Sequence, residues 1–370
     1  MEEAQMKTQV LKTIALFLVA VLCILGGCAA QQQQHTRRYV WPRAPEQPRI
    51  EWIASYYSQH SFPKSGFDSF IEGIFGQAPA IDFEKPIDIK ASGTGRVYVA
   101  DIAKPAIIVY DLNASTVEVW NKGSDPDLSL AITPYYLALD SDENVYTVGR
   151  GNSYIYVLNK KGAVVKKINY GGQVTAPAGI VVDDSTGKIF LVDSPGGRVA
   201  VFDKQSGKHL YSFGKPGSGD GEFNRPSPIT INHKGEVVVG DVMNARVQVF
   251  TKDGTFLRKF GQRGDAGSDF QVIKGLAVDS EDNVYVTDGK ANQIKIFNAK
   301  GDYLLSIGTA YSVTKTSIEA PGGFLLPQGI FIDQNNTIYI ADQANVRFQI
   351  FKYLGEGGGK PAAPSIPDKK

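Results

Sequence analysis

The chain is poor in the residues that most often build a catalytic centre. Its 370 residues include four histidines, His35, His60, His209 and His233, scattered far apart. A convergent imidazole cluster of the kind that holds catalytic zinc is not expected from them. Cysteine is scarcer still, with only Cys23 and Cys28, so no disulfide framework can carry the fold and a large apolar core must do so. Net charge is also missing: 39 basic residues face 38 acidic ones. The strong basic footprint of a nucleic-acid binder is therefore absent, and no nucleic-acid partner is expected. The apolar run from Ile14 to Leu25 ends after twelve residues, whereas a membrane-spanning helix needs about 20.

That short run fits a secretory signal instead, since Lys7 and Lys12 precede it and Leu25-Gly26-Gly27-Cys28 closes it. This start resembles a bacterial lipoprotein signal peptide. The resemblance implies that residues 1–27 are removed and that Cys28 becomes the lipidated first residue, the covalent lipid being the only expected cofactor. Glu2 and Glu3 sit awkwardly before such a run, which points to Met6 as the start. Several acyl chains together anchor a protein far more firmly than one. Ala29 after the cysteine resembles the pattern sent to an outer membrane, so the expected location is the cell envelope, lipid-anchored at that membrane. Residues 28–48, with the run Gln31 to Gln34, read as the lipidated N-terminus and a flexible tether, and residues 355–370 as a disordered tail.

Between these ends the chain repeats itself. One unit runs Gly275 to Asp279, Asn283 to Asp288, Ile294 to Phe297 and Tyr303 to Gly308, four short strands with turns rich in Asp, Asn and Gly. The large apolar residue near the end of the third strand falls at Tyr110, Leu158, Phe202, Phe250, Phe297 and Phe351, at spacings of 44 to 54 residues. Such a period predicts an all-β propeller of six four-stranded blades over residues 49–354. The copy Val239-Gly240-Asp241, Asn244 to Phe250 and Phe256 to Gly261 resembles the NHL repeat, and the whole chain resembles the six-bladed NHL-type propeller lipoproteins of bacteria.

The sixth copy lacks a fourth strand, while Arg49 to Ser55 has that pattern and no blade of its own. Pairing the two closes the ring and removes an unpaired edge. An insertion at about 62–83 carries Phe67, Phe70, Ile71, Ile74 and Phe75 at helical spacing, with Ser65 and Asp68 in capping-box register and Gly76 as a stop. It reads as a lid over the channel mouth or as a docking helix for a partner protein or the membrane surface.

Every second strand except that of the second repeat ends in Asp, and three have an Arg five residues on: Asp193 with Arg198, Asp241 with Arg246, Asp342 with Arg347. A bidentate carboxylate–guanidinium pair across one tight turn is the structural expectation; attraction of a cation by a ring of five acids is the alternative. Asp140 to Asn144 starts like a calcium loop but has Val145 and Gly151 where Gly and Glu belong, and reads as a hairpin turn. No nucleophile stands beside a base. The expected function is a non-catalytic protein-binding or scaffold module in the cell envelope, using the top face at Tyr135, Arg150, Arg225, Lys274 and Gln328. The alternative is a metal-dependent lyase or lactonase of the six-bladed type.

Overall fold

The computed structural model of the protein describes residues 38–64, 66–77, 79–120, 133–150, 152–313 and 318–355. The signal segment, Cys28, and residues 356–370 of the tail lie outside the described residues.

Among the described residues the repeats form six antiparallel sheets in simple up-and-down order, five of four strands and the last of five. The inner strands are Pro86–Ala91, Thr133–Leu139, Pro177–Asp183, Pro226–Ile231, Ile273–Val278 and Pro327–Ile332. Four of them begin on proline, which costs nothing at a first strand position because no ladder donor is lost there. The turns from first to second strand need one residue with positive φ. Gly95, Gly187 and Gly235 supply it in three blades, and Glu143, Asp282 and Asn336 in the others. In the fifth blade Asp279 fastens that turn by accepting the N–H groups of Glu281 and Asn283, the Asn283 amide and the Tyr285 hydroxyl. The same arrangement at Asp140 takes the N–H groups of Asp142 and Asn144 and the Tyr146 hydroxyl, so the calcium-like string is a hairpin turn.

The inner strands touch in sequence around the ring, the sixth contacting the first. Apolar clusters fill each gap between neighbouring sheets: first and second share Tyr98, Ile107, Leu137 and Leu158, while sixth and first share Ile89, Val97, Phe348 and Ile350. All six third-strand positions picked out by the repeat spacing are buried, at 0 to 1% exposure. Burying one such aromatic contributes roughly 2–3 kcal/mol relative to exposure. The protein is thus a closed six-bladed β-propeller.

Closure follows the sequence expectation. Ile50–Tyr56 pairs antiparallel with Arg347–Tyr353 as the outer strand of the sixth blade. The tether, however, ends earlier than the sequence implied. Val40–Trp41 adds to the outer side of that strand, and the Trp41 ring meets Phe351 edge-on at 5.8 Å. Residues 39–48 therefore belong to the propeller, because Trp41 has an apolar surface to cover that local composition does not reveal.

The insertion contains a helix, α1, at Gly66–Phe75, ended by Gly76, whose N–H donates to the Glu72 carbonyl. Both flanks are tied down. Phe62 and Phe83 enter the cluster between the sixth and first blades, packing on Tyr110 at 5.9 and 5.5 Å. Ile74 and Phe75 at the helix end are exposed.

Candidate functional site

Alternation of strand direction puts the connections between blades and the turns from second to third strand on one face, here called the top. The aspartates ending the second strands lie just beneath it. Asp101, Asp193, Asp241, Asp288 and Asp342 have no solvent exposure. Their oxygens are spent on the chain itself. Asp101 accepts the N–H groups of Glu84, Lys85, Ala103 and Lys104; Asp288 accepts those of Gln271, Val272 and Ala291. Each carboxylate therefore ties the incoming blade connection to the next turn of its own blade. A buried carboxylate so bonded is a structural fastener and has little capacity left for a cation.

The arginines join this arrangement differently from the bidentate expectation. Arg246 gives only Nε to Asp241, at 2.8 Å, and turns Nη2 to the carbonyls of Gly219 and Glu222. Arg347 likewise gives Nε to Asp342 and reaches Ala320 and Gly323 with Nη2. Arg198 pairs Nε with Asp193 at 3.2 Å and gives Nη2 to the Gln173 carbonyl. The forks fail to dock squarely because the carboxylates already hold backbone donors, leaving the guanidinium to satisfy linker carbonyls. In the fifth blade, where Gln293 fills the Arg slot, the cation comes from Lys295. Its buried ammonium lies 3.9 Å from Asp288 and donates to the carbonyls of Ala266 and Asp269. Burial pushes this amine's pKa down, against the pull of Asp288 and Asp269.

Inside the ring lies a cavity of about 270 Å³ lined from all six inner strands. Glycines let those strands crowd together. A side chain at Gly329 would place its Cβ 2.7 Å from the Asp88 backbone, and one at Gly275 would come 2.7 Å from the Gln328 carbonyl. Hydrogen bonds then lock the blades in register: Ser227 Oγ donates to the Ala178 carbonyl, Thr287 Oγ1 to the Gln328 carbonyl, and Leu137 N–H to Asp88.

Arg225, Lys274 and Gln328 all line this cavity. Tyr135 does not; the strand register shifts between Pro134 and Tyr136, and Tyr136 takes the wall position. Arg150 ends the second strand of blade two, opposite Thr133, and its side chain lies outside the described residues. The only carboxylate on the wall among the described residues, Asp88, is paired with Lys90 at 3.0 Å. Sequence reasoning missed Asp88, Lys90 and Ser194, which the repeat pattern does not mark.

The remaining histidines stay apart. His60 sits in the turn after the closing strand, His209 in an outer strand beside Ser212, and His233 in a bottom turn against Asp282. Among the described residues, no group of three or more His, Cys, Asp or Glu side chains is placed to hold a metal ion.

A family model described as a 6-bladed beta-propeller matches residues 180–239. The mouse NHL repeat-containing protein 3 is 31% identical over 176 residues, 43% of this chain and 49% of that protein. The chain is a six-bladed propeller similar to NHL-repeat proteins. Protein lin-41 of Caenorhabditis elegans is 52% identical over 48 residues, 13% of this chain and 4% of its own length. The propeller thus spans half or less of these curated relatives. Among solved structures, a Bacteroides thetaiotaomicron protein of unknown function aligns with a TM-score of 0.60 at 16% identity, covering 82% of this chain and 75% of its own. A streptogramin B lyase aligns at 0.54 with 14% identity, over 73% of this chain and 94% of the lyase. A Xanthomonas campestris gluconolactonase gives 0.54 and 14%, over 73% and 86%. At such identities these likenesses concern the fold alone.

Proposed function

We propose that this propeller is a lipid-anchored binding module of the bacterial cell envelope, held through Cys28 at the outer membrane, which recognises a protein partner on its top face. The observation that carries this reading is a contrast in commitment. The second-strand aspartates are engaged by backbone amides and by side chains of their own blades, whereas among the described residues the side chains of Arg225 and Lys274 at the channel mouth have no hydrogen-bond or ion-pair partner. Side chains held ready but unspent suit recognition, and folds of this type host binding modules and enzymes alike. Two long insertions, 57–85 and 308–326, adjoin one another on that face and widen the surface a partner can contact.

The test is crosslinking in intact membranes followed by capture of the full chain, with a Cys28→Ser variant alongside. The expected result is one reproducible neighbour crosslinked through the top face, and a variant that carries no acyl group and leaves the membrane fraction. A variant still acylated and membrane-bound overturns the anchor; crosslinks confined to the bottom turns overturn the face. The alternative, a metal-dependent lyase or lactonase, draws on fold likeness to enzymes of those names. Stoichiometric zinc or calcium in the purified protein, held in the channel, would favour it.

A further inference from the structure

The central cavity carries an imbalance of charge. Among the described residues, four charged side chains line it, Asp88, Lys90, Arg225 and Lys274, and the one carboxylate of these is already paired with Lys90. Two cations on neighbouring blades are left without a counter-charge. Lys274 is partly buried, where an unanswered positive charge is unfavourable, and Arg225 stands exposed beside the same space, open to a ligand.

Both are held in place by the backbone around them. Arg225 precedes the inner strand of the fourth blade with φ of 54°, in the left-handed region. That conformation is unfavourable for a non-glycine residue and persists where its surroundings impose it. Here they do: Asn224 on its N-terminal side is fixed by Asp241 through its N–H and by Met243 through its carbonyl, and Pro226 follows. Lys274 lies across Gly289, where a Cβ would come within 2.7 Å of the lysine Cγ. Gly289 follows Asp288 as Ser194 follows Asp193 and Val242 follows Asp241; those two equivalents occupy the cavity wall with side chains. In the fifth blade that wall position is vacated and the lysine stem fills it. Burial pushes the Lys274 amine's pKa down, as expected for a half-buried cation with no acid beside it.

We propose that the mouth of the channel is an oxyanion site, in which Arg225 and Lys274 receive a carboxylate or phosphate group, with the Gln328 amide at its edge. The proposal deepens the top-face binding role and rests on that reading for the accessibility of the mouth. Arg supplies a planar fork that matches an oxyanion, and Lys a point charge whose strength rises as water is displaced. The group belongs either to a free small molecule, which a cavity of about 270 Å³ accommodates, or to an acidic residue of a docked protein.

The test uses the detergent-solubilised full chain, with succinate and inorganic phosphate as probes, titrated calorimetrically at constant ionic strength against chloride. Saturable binding of at least one probe is expected. Arg225→Met and Lys274→Met should each weaken it about tenfold, the usual scale for one charge-assisted bond. The double variant should abolish it, Lys161→Met on a bottom hairpin should leave it intact, and Gly289→Ala should weaken it by displacing the lysine stem. Neither Arg225 nor Lys274 holds another residue, so melting without probe should be unchanged. No saturable binding to the wild type, or equal affinity in the double variant, overturns the proposal. If excess succinate also releases a captured partner, the oxyanion is the partner's; if succinate binds while capture is unaffected, it belongs to a free ligand. Capture of a partner by a wild type that binds neither probe saturably would sink the oxyanion site and leave the scaffold reading standing, so the two failures are distinguishable.

Discussion

Arg347 Nε lies 2.8 Å from Asp342 Oδ2, and both side chains have no solvent exposure. The same guanidinium holds Tyr57 and Glu319 at 2.8 and 2.9 Å and reaches Ser55 at 3.3 Å. One residue of the last strand therefore binds its own blade, the strand that closes the ring, and the connection between the fifth and sixth blades.

Loss of that arginine should be costly in a graded way. Removing one member of a buried pair leaves the other charge unpaired, which costs about 3–5 kcal/mol. Arg347→Met should approach this range. Arg198→Met should cost far less, because the Arg198 side chain is 37% exposed and water can replace it. Arg246→Met should fall between them, with 9% exposure. Urea unfolding of the three variants checks the order; equal losses would show that the pairs are not distinguished by burial.

Acid stability should depend on a contact between the third and fourth blades. Lys252 Nζ lies 2.6 Å from Asp183 and 2.8 Å from Ser185 Oγ. Burial alone would raise the Asp183 pKa, but Lys252, Ser185 and Thr186 together bring it down to about 2. A carboxyl depressed in the folded state contributes stability above its unfolded pKa of about 4 and loses it as pH falls through the folded value. Wild-type stability should thus decline between about pH 4 and pH 2. Lys252→Met should flatten that part of the profile, measured by denaturant midpoints; a profile unchanged in the variant would remove Asp183 from the account.

Glycine is demanded where the blade connections leave the outer strands. Gly214, Gly261 and Gly308 all have positive φ, and each lies against a buried phenylalanine: Phe223, Phe270 or Phe324. At Gly308 φ is 100° and a Cβ would fall 2.5 Å from the Phe324 ring. Gly308→Ala combines a strained backbone with an overpacked aromatic, so a loss of at least about 2 kcal/mol is expected in thermal unfolding. Gly172→Ala, at positive φ with nothing within 4 Å, separates the two contributions and should cost only the backbone share.

How much of this was legible in the sequence depended on repetition. The third-strand aromatics, the Asp row and the closing strand recur or fill a visible gap, and the structure places them accordingly. Lys295 escaped notice because it departs from the repeat at one position, although it stands in the slot of Gln248 and Gln349, each seven residues after its Asp. Once those glutamines are seen to reach Asp241 and Asp342, a lysine in the same place reads as a substitute. Asp88 and Lys90 carry no repeat signature, since the slot of Asp88 holds Gly179, Gly275 and Gly329 in three other blades. Tyr136 replaced Tyr135 on the wall through a bulge, and a one-residue register change in a strand is invisible to composition. Trp41 was misjudged because its partner Phe351 lies across the whole length of the chain.

That last pairing makes a prediction of its own. If Val40–Trp41 and Ile50–Tyr56 are both part of the sixth blade, a chain beginning at Arg38 should melt at the same temperature as the full chain. A chain beginning at Tyr57 loses the outer strand, strips Arg347 of Ser55 and exposes the Phe351 face that Trp41 and Trp52 cover. Unfolding should then begin at the seam between the sixth and first blades, which shares Phe348 and Ile350 with the first blade's Ile89 and Val97. Hydrogen exchange should show early loss of protection in Arg347–Tyr353 and Arg96–Asp101, with the third and fourth blades protected longest. Equal protection around the ring in the shorter chain would mean that the closing strand is dispensable, and that six inner strands hold the propeller by themselves.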